Sequence, residues 1–469
     1  MPVDVHVRLL PPRRSRRPVA AAAGLCIAAV LAAGLAGGTE TPRQLLITAG
    51  EVIDTGAVLW VRAPEPGPIA FRYGPMDGPP TGRGRVEAAS ASDLTVKIRM
   101  SGLTPGGRHR YTVEQGALHV DGEFVTAPAP STAAPVTFAW SGDLGSRTAC
   151  RHVTDGYPIF RVLARRALDF FLFVGDTIYA DHVCEGPDRV PGSAFVARTL
   201  PQFWAKHRYN RSDPAVQELF RRSSVYAIWD DHEVRNDFSG SVDRLMPTGR
   251  QAFIDYFPIQ PPRSQPGRLY RKFQWGRLLE VFILDTRQYR SPNSDPDGPE
   301  KTMLGPAQKR WLIEGVTASR STWKIIVTSV TLSVPTGRGA RDSWSNANIL
   351  GFPEEGGSGF AVERDGILRA FREAGVKNLV FLAADVHHAE VLRHHPGAGW
   401  SFHEFIAGPL SASLGRPRPT DQGLSSRTLY GLGEIENFGE VAIAEAGLTV
   451  RIVDVTGQVR FTHTIAPER

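Results

Sequence analysis

Residues Phe170 to Asp181 read FFLFVGDTIYAD, an apolar run that ends abruptly in two carboxylates and a phenol. The same ending recurs along the chain. VTFAW is followed by SGD with Asp143. VYAIW is followed by DDHEVRND with Asp230, Asp231, His232, Glu233, Asn236 and Asp237. LLEVFIL is followed by DTRQYR with Asp285, Arg287 and Arg290, and NLVFLAA by DVHH with Asp385, His387 and His388. A lone Asp after a strand is ordinarily a turn former or a helix cap. Five endings of one character exceed what capping needs. Carboxylates gathered on one edge would repel each other and raise their own pKa values, a difficulty that cations remove. Asp and Asn oxygens suit Ca²⁺, Mg²⁺ or Mn²⁺, imidazole suits transition metals, and a phenolate such as that of Tyr179 favours Fe³⁺. A two-metal centre is the chemistry this pattern points to.

Convergence requires a particular scaffold. From 136 to 384 the apolar strand candidates VTFAW, FFLFV, VYAIW, LLEVFIL, KIIVTS and NLVFLAA alternate with helical patterns such as DPAVQELFRRS and GFAVERDGILRAFREAG. Strands apolar throughout imply a sheet covered on both faces, and in such sheets ligands bind beyond the carboxyl ends of the strands. Before this region the pattern is all-β from Leu45 to about Pro128, with short strands broken by Gly, Pro and Asp. GLTPGGRHRYTV within it resembles the turn and tyrosine corner of a fibronectin-III-like sandwich. APAPSTAAP then reads as a linker, and the tail returns to β-hairpins. The expected organisation is a sandwich over 43–128, a linker over 129–135 and a catalytic domain over 136–469.

In order and context, SGD, GDTIYAD, DDHEVRND, DTRQYRS and DVHH resemble the motif series of the PhoD-like alkaline phosphatases, a branch of the metallophosphoesterases. VTLSVPTG, the DSW of Asp342 to Trp344 and the Glu363–Arg364 pair resemble that branch too. The resemblance implies an α/β, four-layer metallophosphoesterase-type core, with two packed mixed sheets flanked by helices. It also implies an Fe³⁺ and Ca²⁺ centre, other divalent metals being possible. By motif position Asp176 bridges two metals, Tyr179 ligates iron, Asn236 ligates the neighbouring metal, and Asp385 and His387 complete the shell. The family often carries a Cys ligand in its first motif; here Asp143 stands in its place, which makes the site harder. Two adjacent cations clamp a phosphoester and lower the pKa of a water, so that hydroxide attacks phosphorus in line with the leaving oxygen. Arg287 and Arg290 are then candidates to grip phosphate, or a surface pair on a loop. His232 protonates the leaving group or positions phosphate, or else orients a ligand. His388, Asp230, Asp231, Glu233 and Asp237 read as hydrogen-bonding supports, Asp181 as a ligand or a cap, and His394 and His395 as solvated residues of a turn.

The substrate is accordingly a small-molecule or polymeric phosphoester. The alternatives are a phosphodiesterase acting on phospholipid or teichoic-acid-like polymers, and a non-catalytic calcium-binding surface protein. The formal charge is +6, but +4 of it lies in Met1 to Pro18, which leaves +2 spread in both signs and no evident nucleic-acid surface. PPRRSRR followed by PVAAAAGLCIAAVLAAGLAGG has the form of an export signal over 1–38, with cleavage after Ala33 or Ala36. The paired arginines resemble a twin-arginine signal read by the export machinery; the general route and an uncleaved membrane anchor remain alternatives. The location expected is periplasmic or secreted, and the oligomeric state a monomer. Cys26 falls in the leader, so Cys150 and Cys184 remain as a disulfide pair in an oxidising compartment, or Cys150 as a metal ligand.

Overall fold

The computed structural model describes residues 43–147 and 149–468, and the leader lies outside them. The strands in chain order are β1 Leu46–Gly50, β2 Gly56–Arg62, β3 Gly67–Pro75, β4 Gly82–Ala88, β5 Thr95–Ser101, β6 Arg108–Gln115, β7 Leu118–Val125, β8 Val136–Ser141, β9 Phe170–Val174 and β10 Ser224–Ile228. They continue with β11 Arg271–Trp275, β12 Leu279–Ile283, β13 Trp323–Val327, β14 Leu379–Ala383, β15 Ala389–His394, β16 Phe402–Ile406, β17 Arg427–Leu432, β18 Asn437–Ala444, β19 Gly447–Asp454 and β20 Val459–Ile465. The helices are α1 Pro158–Ala164, α2 Leu200–Arg211, α3 Pro214–Arg222, α4 Met246–Tyr256, α5 Gly305–Ala318 and α6 Ala361–Glu373. The expected apolar runs thus form β8, β9, β10, β12, β13 and β14. The fold is mixed α/β.

Two large sheets carry it. One has nine strands in the order β20-β19-β18-β8-β9-β10-β1-β2-β5, and the other seven in the order β11-β12-β13-β14-β16-β15-β17. β8, β9 and β10 run parallel in the first, and β12, β13, β14 and β16 in the second. Side-chain alternation explains why these strands are apolar throughout. Val281 and Ile283 of β12 point into the core between the sheets, while Phe282 packs with Leu312 and Val316 of α5. The intersheet core is aromatic: Phe170 lies 4.7 Å from Trp275 and Trp140 lies 6.3 Å from Phe405, ring centre to ring centre. Trp140 also donates its Nε1–H to the Ala383 carbonyl at 3.3 Å, locking β8 to β14.

The strands of the N-terminal segment fall into two groups. β1, β2 and β5 extend the nine-stranded sheet through a parallel pairing of β1 with β10, while β4, β3, β6 and β7 form a separate four-stranded sheet. Tyr226 of β10 donates its hydroxyl to Val52 O at 2.6 Å, and Trp60 of β2 donates to Asp255 O at 2.6 Å. Gln44–Arg469 forms one compact unit. The segment expected to be a linker is likewise tied down, since Arg277 N donates to Thr132 O at 2.8 Å.

Candidate active site

The parallel strands β8, β9, β10, β12 and β14 all deliver their carboxyl ends to one rim. Glycine makes the close approach there possible. A Cβ at Gly142 would lie 2.5 Å from Val174 O and 2.8 Å from Ala384 Cβ, so the SGD glycine lets the two sheets meet. Gly175 has φ +82°, and a Cβ there would lie 2.5 Å from Asp230 Cβ. The next residues hold unusual backbone. Asp143, Asp176, Asp237, Asp385 and His387 all have φ between 48° and 71°, a left-handed conformation that non-glycine residues adopt only where the surroundings enforce it.

Those surroundings are specific. Asn210, at the end of α2, donates its amide to Leu144 O at 3.1 Å and Thr177 O at 2.9 Å, clasping the loops after β8 and β9. Tyr157 donates to Asn210 Oδ1 at 2.6 Å and fixes the amide's orientation. The Glu233 carboxylate accepts from Thr177 N and Oγ1, both at 2.6 Å, and from Asp230 N at 2.8 Å, joining the loops after β9 and β10. Ser411 N donates to Asp143 O at 3.0 Å, and Ser413 Oγ lies 2.9 Å from His387 Nδ1.

Within this frame Asp143, Asp176 and His387 offer ligand atoms within 4.8 Å of one another, and so do Asp176, Asp231 and His232. Asp176 is common to both groups, the placement expected of a bridging carboxylate. Tyr179 Oη lies 3.1 Å from His387 Nε2, and the Tyr179 ring stacks on His232 at 4.1 Å. Asp385 joins through Asp143, whose carboxylate accepts the Asp385 backbone N–H. Asn236 is exposed at the rim, its backbone N–H donating to Asp181 Oδ2 at 2.9 Å. Two further groups flank the pair: Asp181, His182 and His232, and Asp231, Asp237 and Asp342. His182 carries no motif of its own; its adjacency to Asp181 is the one signal that points to it.

The electrostatics are those of a cation site. Burial and then repulsion from Asp230 push the Asp143 and Asp385 carboxyls well above the usual range, and burial and Asp231 do the same for Asp176. One oxygen of Asp143, of Asp230 and of Asp385 is buried without a hydrogen-bond partner. Each is an acceptor placed for a ligand to a positive ion, so the residues present fit a metal centre. Burial also raises the Tyr179 phenol and lowers His387 to about 4. Burial alone would lower His232, but Asp231 and Asp181 outweigh it and hold the imidazole up, at about 9. Its Nδ1 lies 2.7 Å from Asp181 Oδ1.

Arg287 and Arg290 do not face this opening. Arg287 is fully buried, giving its Nε–H to Asp230 at 2.7 Å and a two-pronged contact to Asp342 at 2.8 and 2.7 Å. Arg290 donates to Thr286 O at 2.6 Å and to Asp342 Oδ1 at 2.8 Å. They are struts beneath the rim, because Asp342 supplies a counter-charge that the DTRQYR motif alone does not reveal. Asp285 is turned away from the rim and accepts from Trp229 Nε1 at 2.8 Å. His388 is buried with Nδ1 2.9 Å from Val386 O, and belongs to none of the ligand groups. His394, expected in solvent, is buried between Glu404 Oε2 at 3.0 Å and Ser426 Oγ at 2.8 Å. Cys150 and Cys184 form a disulfide, so Cys150 is not a metal ligand.

A two-sheet α/β scaffold whose parallel strand ends bring Asp, His and Tyr side chains around a cation-competent pocket defines the general class. Within it, residues 138–446 match the model of the PhoD-like phosphatases, and the chain belongs to that family. It is 25% identical over 391 residues to alkaline phosphatase D of Bacillus subtilis (strain 168), covering 74% of this chain and 64% of that protein. The solved structure of PhoD superposes with TM-score 0.73 at 18% identity, covering 90% of this chain and 92% of that one. A purple acid phosphatase from yellow lupin (Lupinus luteus) superposes with TM-score 0.61 at 12% identity, covering 91% and 75%. At these identities the structural likenesses speak for the fold alone.

Proposed function

We propose that the protein is an exported, metal-dependent phosphoric-ester hydrolase of the alkaline phosphatase D type. The observation that carries this reading is the buried convergence of Asp143, Asp176, Asp231, His232 and His387, with unpartnered carboxylate oxygens, in a chain of the PhoD-like family. Asp143, Asp176, Tyr179, Asn236, Asp385 and His387 would hold the cations, Fe³⁺ and Ca²⁺ being the pair that the motif series suggests. Cations held by these residues would supply charge to neutralise the phosphoryl oxygens and to acidify an attacking water. The chain's own contribution is orientation and proton supply. Asp181 fixes His232 through Nδ1, so that a protonated imidazole there is placed to give its proton to the leaving oxygen. Arg287 and Arg290 act indirectly, keeping Asp342 ionised and Asp230 in place.

Export rests on the leader's composition, and the disulfide fits an oxidising compartment. No helix among the described residues is long and apolar enough to cross a membrane. Asp176→Ala and Asp385→Ala are expected to fold and to hydrolyse no p-nitrophenyl phosphate; near-normal turnover by both would end the proposal. Elemental analysis of natively expressed protein separates this reading from a calcium-binding surface protein, because iron beside calcium belongs to the first only. A diester on a bulky or polymeric carrier is favoured by the exposed Ile349, Leu350, Phe352 and Leu414, which lie on the loops bearing Asp342 and Ser413. Rates on matched mono- and diesters decide between the two ester classes.

A further inference from the structure

A cleft of about 430 Å³ opens at the other end of the molecule. Trp323, Leu379 and Phe402 line it, and these residues begin the parallel strands β13, β14 and β16, whereas Asp385 follows the end of β14. The strand register sets a row of basic side chains along it, two of them arginines. Arg393 of β15 lies directly opposite Arg427 of β17 on one side and opposite His403 of β16 on the other. Directly opposed residues share a face, and their same-face neighbours Val391 and Phe405 are buried in the intersheet core. The row therefore looks into the space between the sheets. His463 of β20 faces it from the other sheet, with its ring 6.3 Å from that of His403.

Like charges placed opposite one another across strands are destabilising. Both arginines are exposed, and among the described residues no ion pair offsets them. Arg393 donates only to the neutral Ser401 Oγ, at 3.4 and 3.0 Å. Among the described residues neither Arg393 nor Arg427 meets a carboxylate. Glu468 is the acidic residue in the lining, and its backbone N–H is committed to Asn378 Oδ1 at 2.7 Å. Trp323 Nε1–H, in the same lining, is buried and has no acceptor. Burial, with Arg393 and His463 adding to it, drives His403 down to about 3. At the acidic rim crowded carboxylates call for a cation; here two guanidinium groups with no carboxylate partner among the described residues leave donors for an anion. Arginine's forked donors match a tetrahedral oxyanion.

We propose that this cleft is a second, non-catalytic site for a phosphate-type oxyanion, gripped by Arg393, Arg427 and His463 with His403 at its base. It stands independently of the activity assigned to the acidic rim. The test is calorimetric titration and thermal unfolding of the full chain with inorganic phosphate, at ionic strength held constant with chloride. Arg427→Gln and His463→Gln sit on edge strands and spare the core. The wild type is expected to bind one phosphate more per chain than either variant and to gain a phosphate-dependent rise in Tm that the variants lose. Any inhibition constant for phosphate against p-nitrophenyl phosphate stays within twofold across the three proteins. Equal stoichiometry and equal Tm shifts in wild type and variants overturn the proposal, as does a shift that chloride reproduces. Methylphosphonate, a non-hydrolysable stand-in for ester-linked phosphate, distinguishes the source: tighter binding than inorganic phosphate points to a phosphomonoester, weaker binding to free phosphate.

Discussion

Replacing Arg287 by Met decides whether this side chain grips substrate or supports the site. The guanidinium is fully buried and paired with two carboxylates, Asp230 at 2.7 Å and Asp342 through both of its oxygens. Removing one partner of a buried ion pair costs about 3–5 kcal/mol, here because Asp230 is left without a counter-ion while Asp342 keeps Arg290. The stranded carboxylate can escape by taking up a proton. With an ordinary pKa near 3.9, that uptake costs about 4 kcal/mol at pH 7 and about 1.5 kcal/mol at pH 5, at ~1.36 kcal/mol per pH unit. The penalty in Arg287→Met should therefore shrink by roughly 2–3 kcal/mol between pH 7 and pH 5. Urea unfolding of wild type and variant at the two pH values, in one metal buffer, reads the difference directly. A second change, Asp230→Asn, removes the stranded charge, and the double variant should recover part of the loss at pH 7. Wild-type unfolding midpoints at both pH values, combined with a weakened inhibition by phosphate, would refute the strut and restore the clamp.

Two other perturbations test the scaffold. His207 in α2 is fully buried, its Nε2 has no partner, and burial and then Arg211 lower its pKa to about 3. The folded protein keeps this imidazole neutral while the unfolded chain protonates near pH 6.5, so stability is intact above that value and is lost as pH falls from 6.5 towards 3. His207→Phe should shift the acid unfolding midpoint downward and contribute up to about 4 kcal/mol near pH 3; an unchanged acid midpoint would count against it. The disulfide between Cys150 and Cys184 closes a loop with a sequence separation of 34 that contains β9, Asp176 and Tyr179. Its removal by the double Ser variant should cost about 3–4 kcal/mol of stability, checked by urea unfolding with and without reductant.

What the sequence shows of this site is what depends on neighbours in the chain. A polar cluster directly after an apolar strand is a local pattern, and parallel strands bring such clusters to one edge whatever the strand order. That is why Asp143, Asp176, Tyr179, Asp385 and His387 are legible from their motifs alone. Asn236 belongs to the same motif series, yet it meets the others only through its backbone and Asp181. The N-terminal strands show the limit: their alternation is plain, but the pairing of β1 with β10 joins Gly50 to Val225, and no local pattern specifies so distant a partner.

Charged residues are the harder case, since a charge takes its meaning from its counter-charge. Arg287 and Arg290 read as phosphate ligands while their motif is viewed alone, and become struts once Asp342, more than fifty residues later, is placed between them. His394 reads as a solvated turn residue until β15 and β16 pair and bring Glu404 within 3.0 Å. The same logic runs in reverse in the intersheet cleft. Arg393, His403 and Arg427 are unremarkable in sequence, and only the register of three strands sets them in a row. In this protein the buried charges that find partners within the chain, such as Arg287 and His394, brace the scaffold. Among the described residues the buried oxygens of Asp143 and Asp385 are left without one at one end, where we place the cations, and the exposed arginines of the basic row at the other, where we place an anion.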